Sequence, residues 1–570
     1  MPEAVAPDPV ARRVLVVSAN SRAGGGDGAR VRGVVEEVRR RWPGSHTRAV
    51  VIPRRAARAG RRLVPVIETF DPDLAIHTDP VAARALAWLQ RRRGLGVPVR
   101  SSPGPGTSQF VRPGPPRPWL MRGQDAFFCY VQTPTVDQQI GAVLHVGPRP
   151  DGRPLTRDDL VDVLGQRLPA ITTLRRVAVR RRRRRPGWIL SEVDPAAHVE
   201  EHRLPSGAGP EAGTALVDRF WSEPVRTDRP PWQMLLLTGM PEGRATLAMK
   251  LHHCLGDGLS VIGTVARLLD PASAVRPGED EGGRQTATRV RVAPRRAART
   301  LRGLLLLASA GRAPRTAINR PLATPRRRLA MTSLPAAEVA RVARDLGAHA
   351  SELVCGLVAE AFHRTYPGIA PPRLRAMFPV SRRSGQRAPT QGNWTGAVAL
   401  DLPTGPMPVT ERVAVVRDRL RRGLASGQPA AADLVLRTMG RLPAWLHAAV
   451  ARRTYRSRFM NVIVSYMAGP HQRHLLAGAP IEAVTPVVGL ADGVPVGVGA
   501  LRWADRIGIG VLVDDSLAGL GRAFVAALRD GFDAAAAGAA GPGRPGRPAG
   551  AAGTPGAAGA TGATGASPRP

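Results

Sequence analysis

Two stretches rich in proline and glycine, residues 101–118 and 271–283, interrupt this 570-residue chain. Proline removes a backbone hydrogen-bond donor and glycine favours turns, so no helix or strand is expected to continue through either stretch. After residue 538 glycine recurs at every third position between Gly550 and Gly565, a collagen-like period too short for a triple helix, and disorder is expected there. The chain is therefore expected to comprise an N-terminal domain (1–112), a first α/β block (119–275), an arginine-rich linker (276–325), a second α/β block (326–537) and a tail (538–570).

The N-terminal block alternates strand and helix patterns. Residues 14–17 form a short apolar strand pattern that leads into a glycine-rich turn, residues 18–28, and a helical pattern at 29–41. Further strand patterns follow at 47–52 and 74–77. A strand, a glycine-rich turn and a helix begin a Rossmann-like unit, so we expect a parallel α/β sheet in this block.

The formal net charge of +38 comes almost entirely from arginine, since Lys250 is the only lysine. Clustered cations favour nucleic acids or anionic membranes as partners. Here, however, arginine replaces lysine along the whole chain, and aromatic residues that could stack on bases make up only 4% of it. A general substitution bias explains the charge better, and nucleic acid is not an expected partner.

The three cysteines, Cys129, Cys254 and Cys355, are too far apart in sequence for a disulfide framework or a metal-binding motif. Residues 1–10 are acidic and contain proline, and they do not resemble a signal peptide. The longest apolar runs, such as 304–310, are much shorter than the roughly 20 residues that span a bilayer. We therefore expect reduced thiols, a cytoplasmic location and at most peripheral contact with the inner membrane face or with lipid droplets.

Residues 284–315 are rich in arginine and surround the apolar stretch 301–310. This is the pattern of a basic amphipathic helix. It has two interpretations, a solvated linker between domains or an attachment to an anionic membrane or lipid-droplet surface, and the sequence leaves both open.

Two adjacent histidines end a strand pattern at residues 245–253. Period-two alternation puts one set of side chains on one face (Leu247, Met249, Leu251, His253) and the others on the opposite face (Thr246, Ala248, Lys250, His252). The two rings should point in opposite directions, and no Cys or Glu stands at a spacing suited to a shared metal ion. At the end of an apolar face, burial would keep His253 neutral and able to accept a proton.

A turn and a helix follow the histidines. Gly256, Asp257 and Gly258 form a tight turn, and residues 259–269 have the apolar spacing of a helix, so Asp257 should lie at the helix N-terminus. Its carboxylate can cap the helix there or pair with an arginine. A lone histidine at a strand end is most simply a core residue, so a chemical role for His253 depends on the whole pattern.

As a whole, the segment HHCLGDG (252–258) resembles the H-H-x-x-x-D-G motif of the CoA-dependent acyltransferase superfamily. The resemblance implies a catalytic set of His252, His253, Asp257 and Gly258. His253 would be the general base, while Asp257 and Gly258 would maintain the geometry of the site. No covalent acyl-enzyme is expected, since Cys254 lies one residue off the face of His253.

Other segments narrow the resemblance to the wax ester synthase/diacylglycerol acyltransferase family. In the order of that family they are MRGQDAFF (121–128), DRPPWQMLLLTG (228–239), INRP (318–321), PVSRRSGQRAPTQGNWTG (379–396) and NVIVSYMAGP (461–470). The resemblance covers about residues 119–530 and implies substrate contacts at Trp232, Asn393 and Ser465. Asn393 is the candidate hydrogen-bond donor to the oxyanion, with a structural role as the alternative.

Two positions depart from the family pattern. Ser351-Glu352 replaces an Asn-Asp pair, and Tyr466-Met467-Ala468 replaces Asn-Val-Pro. The bulky Tyr466 is expected near the substrate channel, where it would affect the choice of acceptor. The apolar stretch 354–362 still predicts the buried helix that should follow Ser351-Glu352.

Residues 12–100 resemble the N-terminal half of diacylglycerol glycosyltransferases of the monogalactosyldiacylglycerol synthase type, through SANSRAGGGDG (18–28) and FDPDLAIHTDPVAARAL (70–86). Asp27 stands where that family has a histidine, and the half that binds the sugar nucleotide is missing. The resemblance therefore implies lipid contact or an evolutionary remnant, not glycosyl transfer.

Together these resemblances imply a Rossmann-like half-domain, then two chloramphenicol-acetyltransferase-like α/β halves that form a channel. Acyl-CoA would be the co-substrate, diacylglycerol or a long-chain alcohol the acceptor, and no cofactor or metal ion is expected. One alternative is a non-catalytic lipid-binding or droplet-associated protein. Another is an acyltransferase whose acceptor is a polyketide, a glycolipid or an amine.

Overall fold

The computed structural model describes residues 118–270 and 294–539, apart from 182–183, 367–371 and 383–391. Before residue 118 it describes four strands and the single positions Glu36 and Leu86.

The four N-terminal strands form one parallel sheet, in the spatial order His46–Ile52, Arg13–Ala19, Leu74–His77, Val99–Ser101. Three of them coincide with the predicted strand patterns. Parallel neighbours need crossover connections, so this sheet confirms the α/β class expected for the block. Most of the glycine-rich turn (20–28) and of the predicted helix (29–41) lies outside the described residues, although Glu36 is helical.

The first half is built on a six-stranded sheet, in the spatial order Leu475–Leu476, Ala479–Val487, Gln139–Val146, Ala245–His252, Trp232–Thr238, Val199–Arg203. The predicted alternation within Ala245–His252 is confirmed. Leu247, Met249 and Leu251 pack into one buried cluster, and Ala248 packs into the cluster on the opposite face. All eight residues of this strand are buried, so it lies at the centre of the sheet between two packed layers.

The other described elements of the first half surround this sheet. They are the helices Gly123–Val131, Arg157–Arg167, Pro210–Ser222 and Gly258–Ala266, and a three-stranded sheet in the order Trp119–Leu120, Gly187–Leu190, Arg176–Val179. Helix Arg157–Arg167 begins with a capping box, in which Thr156 and Asp159 each accept a hydrogen bond from the backbone N–H of the other.

The second half contains another six-stranded sheet, in the order Arg327–Pro335, Arg506–Asp514, Val496–Trp503, Val462–Ala468, Arg373–Ser381, Thr395–Pro403. Its helices are Ala336–Asp345, Ala350–Thr365, Val409–Ala425, Gln428–Met439, Ala444–Thr454 and Ala518–Ala539. The helix Ala350–Thr365 is buried continuously from Glu352 to Phe362, which confirms the buried helix predicted at 354–362.

The departure at Ser351-Glu352 has a structural explanation. Glu352 is buried, and its carboxylate accepts a hydrogen bond from the backbone N–H of His349 at 2.8 Å. The same carboxylate pairs with Arg421 at 2.7 Å. Glu352 therefore closes the N-terminus of the buried helix and ties it to the helix Val409–Ala425.

One strand of the second half lies in the sheet of the first. Ala479–Val487 pairs antiparallel with Gln139–Val146, and its side chains Ile481 and Val484 pack into the core of the first half. Sequence order alone assigned these residues to the segment 326–537. Because the strand completes a sheet formed by distant residues, the two halves interlock and are not divided in space at the linker.

The arginine-rich linker contains the helix Pro294–Ser309, which includes most of the apolar stretch that predicted it. It packs against the helix Gln428–Met439, and Arg299 Nε donates to the carbonyl of Ala425 at 3.0 Å. Residues 271–293 of the linker lie outside the described residues, as does the tail from residue 540. Within the described part of the chain, no helix is long and apolar enough to cross a membrane.

Candidate active site

The paired histidines lie where the central strand of the first half ends. After Ala245–His252 a single 3-10 turn, His253–Leu255, redirects the chain, and the backbone N–H of His253 donates to the carbonyl of Gln138 at 2.7 Å. Gly256 then forms a parallel β-bridge with Gly392 of the second half. The motif thus lies at the junction of the two halves.

The ring of His253 stacks on Phe128, with ring centroids 3.6 Å apart and an interplanar angle of 6°. Its Nδ1 is buried, as is Oδ1 of Asn393, and neither atom makes a hydrogen bond of standard geometry. Burial lowers the pKa of His253, while its own carbonyl, the Asp257 carboxylate and the Asn393 side chain oppose that shift. A lowered pKa makes the imidazole neutral near pH 7.

Asp257 caps the helix Gly258–Ala266, as the sequence predicts, and it also reaches the second half. Its Oδ1 accepts from the backbone N–H of Ser260 at 3.0 Å. Its Oδ2 accepts from the N–H of Trp394 at 2.8 Å and from the hydroxyl of Thr395 at 2.9 Å. This carboxylate therefore holds the turn after the histidines against a strand from the other half.

Asn393 is held by two partners. Its Nδ2 donates to Asp125 Oδ1 at 2.9 Å and to the carbonyl of His253 at 3.0 Å, and its backbone N–H donates to the same Asp125 oxygen. Both hydrogens of the amide are thus used, and none remains for an oxyanion. The structure favours the positioning role that the sequence left as the alternative. Burial raises the pKa of Asp125, and the Arg122 guanidinium opposes this shift.

His252, the last residue of the strand, lies in a different environment. Its Nδ1 accepts from the backbone N–H of Cys254 at 3.1 Å, and its Nε2 pairs with Oε1 of Gln132 at 2.9 Å. Burial lowers the pKa of His252 to about 3, with a smaller contribution from its neighbour His253. Both ring nitrogens are engaged, so His252 is a packed, neutral residue beside His253.

The fold brings two cysteines that are far apart in sequence close to His252. The Cys129 and Cys254 sulfurs and a ring nitrogen of His252 all lie within 4.8 Å of one another, because the helix Gly123–Val131 packs against the motif. The ring nitrogens of His252 are already hydrogen-bonded, and burial raises the pKa of Cys254 well above its ordinary value. We therefore treat this cluster as a packing contact.

Trp232 is a core residue, in contrast to its predicted contact with substrate. Its side chain is fully buried, its Nε1 donates to the carbonyl of Leu174 at 2.8 Å, and its ring stacks on His198 at 4.1 Å. The indole has no surface left for a ligand. The sequence showed that a tryptophan stands at this position but not that neighbouring elements cover it.

Tyr466 packs against the core of the second half, whereas the sequence predicted that it would lie near the substrate channel. In the strand Val462–Ala468 it lies on the same face as Val464 and packs against the core of the second half. Ser465 and Met467 occupy the opposite face, and Met467 contacts the core of the first half. The Met467 sulfur lies so close to Gly258 that a Cβ there would collide with it. Met467, rather than Tyr466, therefore explains the glycine at 258.

Some residues of the site were not predicted as functional. Phe128 stacks on His253 and Asp125 orients Asn393, although both stand in the family segment MRGQDAFF. Their position in a family segment was a usable signal. Gln132 and Gln138, which hold His252 and the backbone of His253, stand outside every quoted segment and carried no such signal.

Comparison with known proteins assigns the fold and the family. The wax ester synthase/diacylglycerol acyltransferase catalytic domain matches residues 121–308, and the C-terminal domain of the same family matches residues 391–534, together more than half of the chain. A solved wax ester synthase/diacylglycerol acyltransferase from Marinobacter aquaeolei VT8 superposes with a TM-score of 0.54 at 19% identity, over 73% of this chain and 98% of that one. The first condensation domain of the calcium-dependent antibiotic synthetase superposes with a TM-score of 0.52 at 19% identity, over 75% and 97%.

Sequence relatives agree with that assignment. A Mycobacterium bovis protein provisionally named a diacylglycerol O-acyltransferase is 28% identical over 450 residues, which cover 69% of this chain and 85% of the relative. A Mycobacterium tuberculosis protein with the same provisional name is 24% identical over 413 residues, covering 66% and 87%. The chain belongs to the wax ester synthase/diacylglycerol acyltransferase family and is an acyl-CoA-dependent acyltransferase.

Proposed function

We propose that this acyltransferase moves a fatty acyl group from acyl-CoA to the hydroxyl of diacylglycerol, forming triacylglycerol, or of a long-chain alcohol, forming a wax ester. One observation carries the proposal. The neutral ring of His253 lies at the junction of the two halves, stacked on Phe128, and no described residue hydrogen-bonds its Nε2. The provisional names of the mycobacterial relatives favour diacylglycerol as acceptor.

In the proposed reaction Nε2 of His253 is the general base. For Nε2 to accept a proton, the neutral ring carries its hydrogen on Nδ1. Nε2 takes the hydroxyl proton while the acceptor oxygen attacks the thioester carbonyl. The tetrahedral intermediate then loses CoA as its C–S bond breaks, and the imidazolium returns the proton to the thiolate sulfur.

The proposed reaction uses neither a metal ion nor a covalent acyl-enzyme. The candidate nucleophile nearest to the base in sequence is Cys254, whose pKa burial raises well above its ordinary value. Its thiol also contacts that of Cys129 rather than facing His253. A thiol that resists deprotonation is a poor nucleophile, so direct attack by the acceptor is the simpler route.

The test is to incubate the full chain with radiolabelled palmitoyl-CoA and separate the lipids by thin-layer chromatography. The acceptor panel holds diacylglycerol, hexadecanol, a glycolipid and a fatty amine. Labelled triacylglycerol or wax ester is expected from the wild type and from His471→Ala, an exposed-histidine control, and not from His253→Ala. If product forms only from the glycolipid or only from the amine, that compound class would be the acceptor in place of diacylglycerol and long-chain alcohols. No product from any acceptor would favour the non-catalytic lipid-binding alternative.

Access to a lipid acceptor is the second part of the proposal. The linker helix Pro294–Ser309 exposes 58% of Leu301 and 63% of Leu305, and Trp445 of the helix Ala444–Thr454 is 72% exposed. Exposed large apolar side chains beside arginines suit a helix that lies on an anionic lipid surface. Each basic residue at such a surface contributes about 1 kcal/mol.

Co-sedimentation with phosphatidylglycerol vesicles tests this attachment. The wild type is expected to sediment at low salt and much less at high salt, since the Debye length falls to about 3 Å at 1 M salt. A variant with Leu301→Ser, Leu305→Ser and the linker arginines replaced by glutamine is expected to stay in the supernatant. Equal sedimentation of the two proteins would mean that this segment is a solvated linker.

A further inference from the structure

A second concave site lies apart from the histidines, between residues 312–316 and 453–458. It encloses a cavity of about 560 Å³ lined by five arginines and three neutral polar residues, Arg312, Arg315, Arg453, Arg456, Arg458, Thr316, Asn319 and Ser457. We call it the arginine pocket.

The charges of this pocket are poorly balanced. Arg456 pairs with Asp492 at 3.1 Å. The other four arginines make no ion pair with any acidic residue in the described part of the chain. Several guanidinium groups that line one cavity repel one another unless an anion binds between them, and guanidinium groups pair with phosphate through two parallel hydrogen bonds. The pocket therefore suits a ligand with more than one phosphate group.

Two side-chain amides, Asn461 and Asn319, hold the two walls of the pocket together. Nδ2 of Asn461 donates to the carbonyl of Pro314 at 2.8 Å and to Oδ1 of Asn319 at 2.7 Å. Nδ2 of Asn319 in turn donates to the carbonyls of Asn461 and Gly493. The backbone N–H of Ala313 completes the link by donating to the carbonyl of Arg458 at 2.8 Å.

This framework has two consequences. The walls are fixed before any ligand binds, which lowers the entropic cost of binding. It also gives a role to Asn319 and Asn461, which stand in the segments INRP and NVIVSYMAGP and which the reaction at His253 does not use.

Aromatic contacts connect the pocket to the base. Tyr455 directly precedes Arg456, and its ring centroid lies 6.3 Å from that of Phe128. Phe128 in turn stacks on His253 at 3.6 Å. Ring contacts therefore run from the residue next to Arg456 to His253.

We propose that the arginine pocket binds the 3′-phosphate and diphosphate groups of the CoA part of acyl-CoA. The arm that carries the thioester then runs past Tyr455 and Phe128 to His253. This assignment rests on the proposed function only in that the thioester must reach His253.

The first test measures equilibrium binding of CoA, 3′-dephospho-CoA and pantetheine to the full chain by calorimetry. The pocket variant is Arg453→Gln/Arg458→Gln, and the matched control, Arg341→Gln/Arg522→Gln, makes the same charge change at exposed positions elsewhere. CoA is expected to bind about 10- to 100-fold more weakly to the pocket variant, and about as tightly to the control as to the wild type. Loss of the 3′-phosphate should weaken binding to the wild type more than to the variant.

The second test compares palmitoyl-CoA with palmitoyl-pantetheine, which lacks the phosphates, as donors. The ratio of kcat/KM for palmitoyl-CoA to kcat/KM for palmitoyl-pantetheine is expected to fall about 10- to 100-fold in the pocket variant. It should fall less in Arg312→Gln, which changes one arginine of the opposite wall. Thermal denaturation checks that all variants are folded. A variant that is folded and keeps both the CoA affinity and the donor preference of the wild type would overturn the assignment.

Two further outcomes separate the sources of phosphate and the two proposals. If the variant loses binding to phosphatidylglycerol vesicles or to inorganic phosphate but keeps its CoA affinity, the pocket is a site for those anions and the CoA assignment fails. Because CoA binding needs no turnover, a protein that binds CoA through these arginines but makes no labelled lipid would refute the proposed reaction and leave the pocket assignment intact.

Discussion

The two neighbouring histidines of this enzyme lie in contrasting environments. His252 is buried with both ring nitrogens hydrogen-bonded, to Gln132 and to the backbone of Cys254. His253 is stacked on Phe128, its Nδ1 makes no hydrogen bond of standard geometry, and its Nε2 is free of described partners. Both ring nitrogens of His252 are occupied by hydrogen bonds within the fold, whereas Nε2 of His253 keeps a lone pair that can accept a proton.

The difference shows how a strand end can separate stability from reactivity. His252 is the last residue of the strand and joins the packed core, whereas His253 begins the 3-10 turn at the junction of the halves. Substitutions at the two positions should therefore have separable effects, the first on folding and the second on turnover. The following predictions test this separation, in order of decreasing effect.

The largest effect is expected for His253→Ala, which should lower the rate of acyl transfer about 100- to 10,000-fold, because a general base commonly contributes that much and no described side chain can replace it. Single-turnover assays with palmitoyl-CoA measure the rate, and circular dichroism checks the fold. Activity above a tenth of the wild-type rate would refute the role of His253 as base.

A mainly structural loss is expected for His252→Ala. The substitution leaves Gln132 and the N–H of Cys254 without their buried partner and opens a cavity, which should cost about 2–4 kcal/mol in free energy of unfolding. Urea denaturation measures this cost, with His471→Ala as the exposed control. The rate per folded molecule should fall far less than in His253→Ala, and equal losses of rate in the two variants would contradict the opposite orientation of the rings.

A smaller effect is expected for Asp257→Asn. The amide keeps one oxygen to cap the helix Gly258–Ala266, but its NH2 group then faces Trp394 and Thr395 and can accept from neither. The free energy of unfolding should therefore fall by about 1–3 kcal/mol. Asp194→Asn is the matched control, since Asp194 caps the short helix Pro195–His198 through Ala196 and makes no hydrogen bond or ion pair with the described residues of the second half. Urea denaturation of both variants measures the difference, and equal losses would mean that the bonds to the second half contribute nothing.

The smallest effect is a pH dependence of stability. The pKa of His252 in the folded chain is about 3, below the ordinary value of 6.5, so between these values the unfolded chain binds a proton that the folded chain does not. Stability should therefore fall as the pH falls below 6.5, by at most about 1.4 kcal/mol per pH unit from this group. In His252→Gln the slope should be shallower, because glutamine does not titrate. The other buried histidines contribute equally to both proteins. Thermal melts between pH 7.5 and 5.5 compare the slopes, and identical slopes would show that His252 is not a buried neutral group.

Local patterns were enough to predict several parts of the structure. The period-two alternation of Leu247, Met249 and Leu251 predicted the central strand and the face that these three residues share, and the spacing after the motif predicted that Asp257 caps a helix. These features depend on residues close in sequence, whose geometry is fixed by the backbone of one strand or one helical turn.

Contacts between distant segments could not be predicted in this way. Tyr466 turned out to face its own core and Met467 the motif, because the orientation of a strand relative to the other half is set by packing and not by its own alternation. Trp232 was assigned to substrate although neighbouring elements bury it completely.

The sequence by itself determined the α/β class, the reactive motif and, through the order of its segments, the family. Only the tertiary structure decided which atoms surround His253. Phe128 and Asn393 reach it from positions more than 120 residues away on either side, Asp125 holds Asn393, and Ala479–Val487 crosses into the sheet that carries it. The physical reason is that apolar burial drives such elements together without regard to their separation in sequence, and their final arrangement depends on how all the packed surfaces fit.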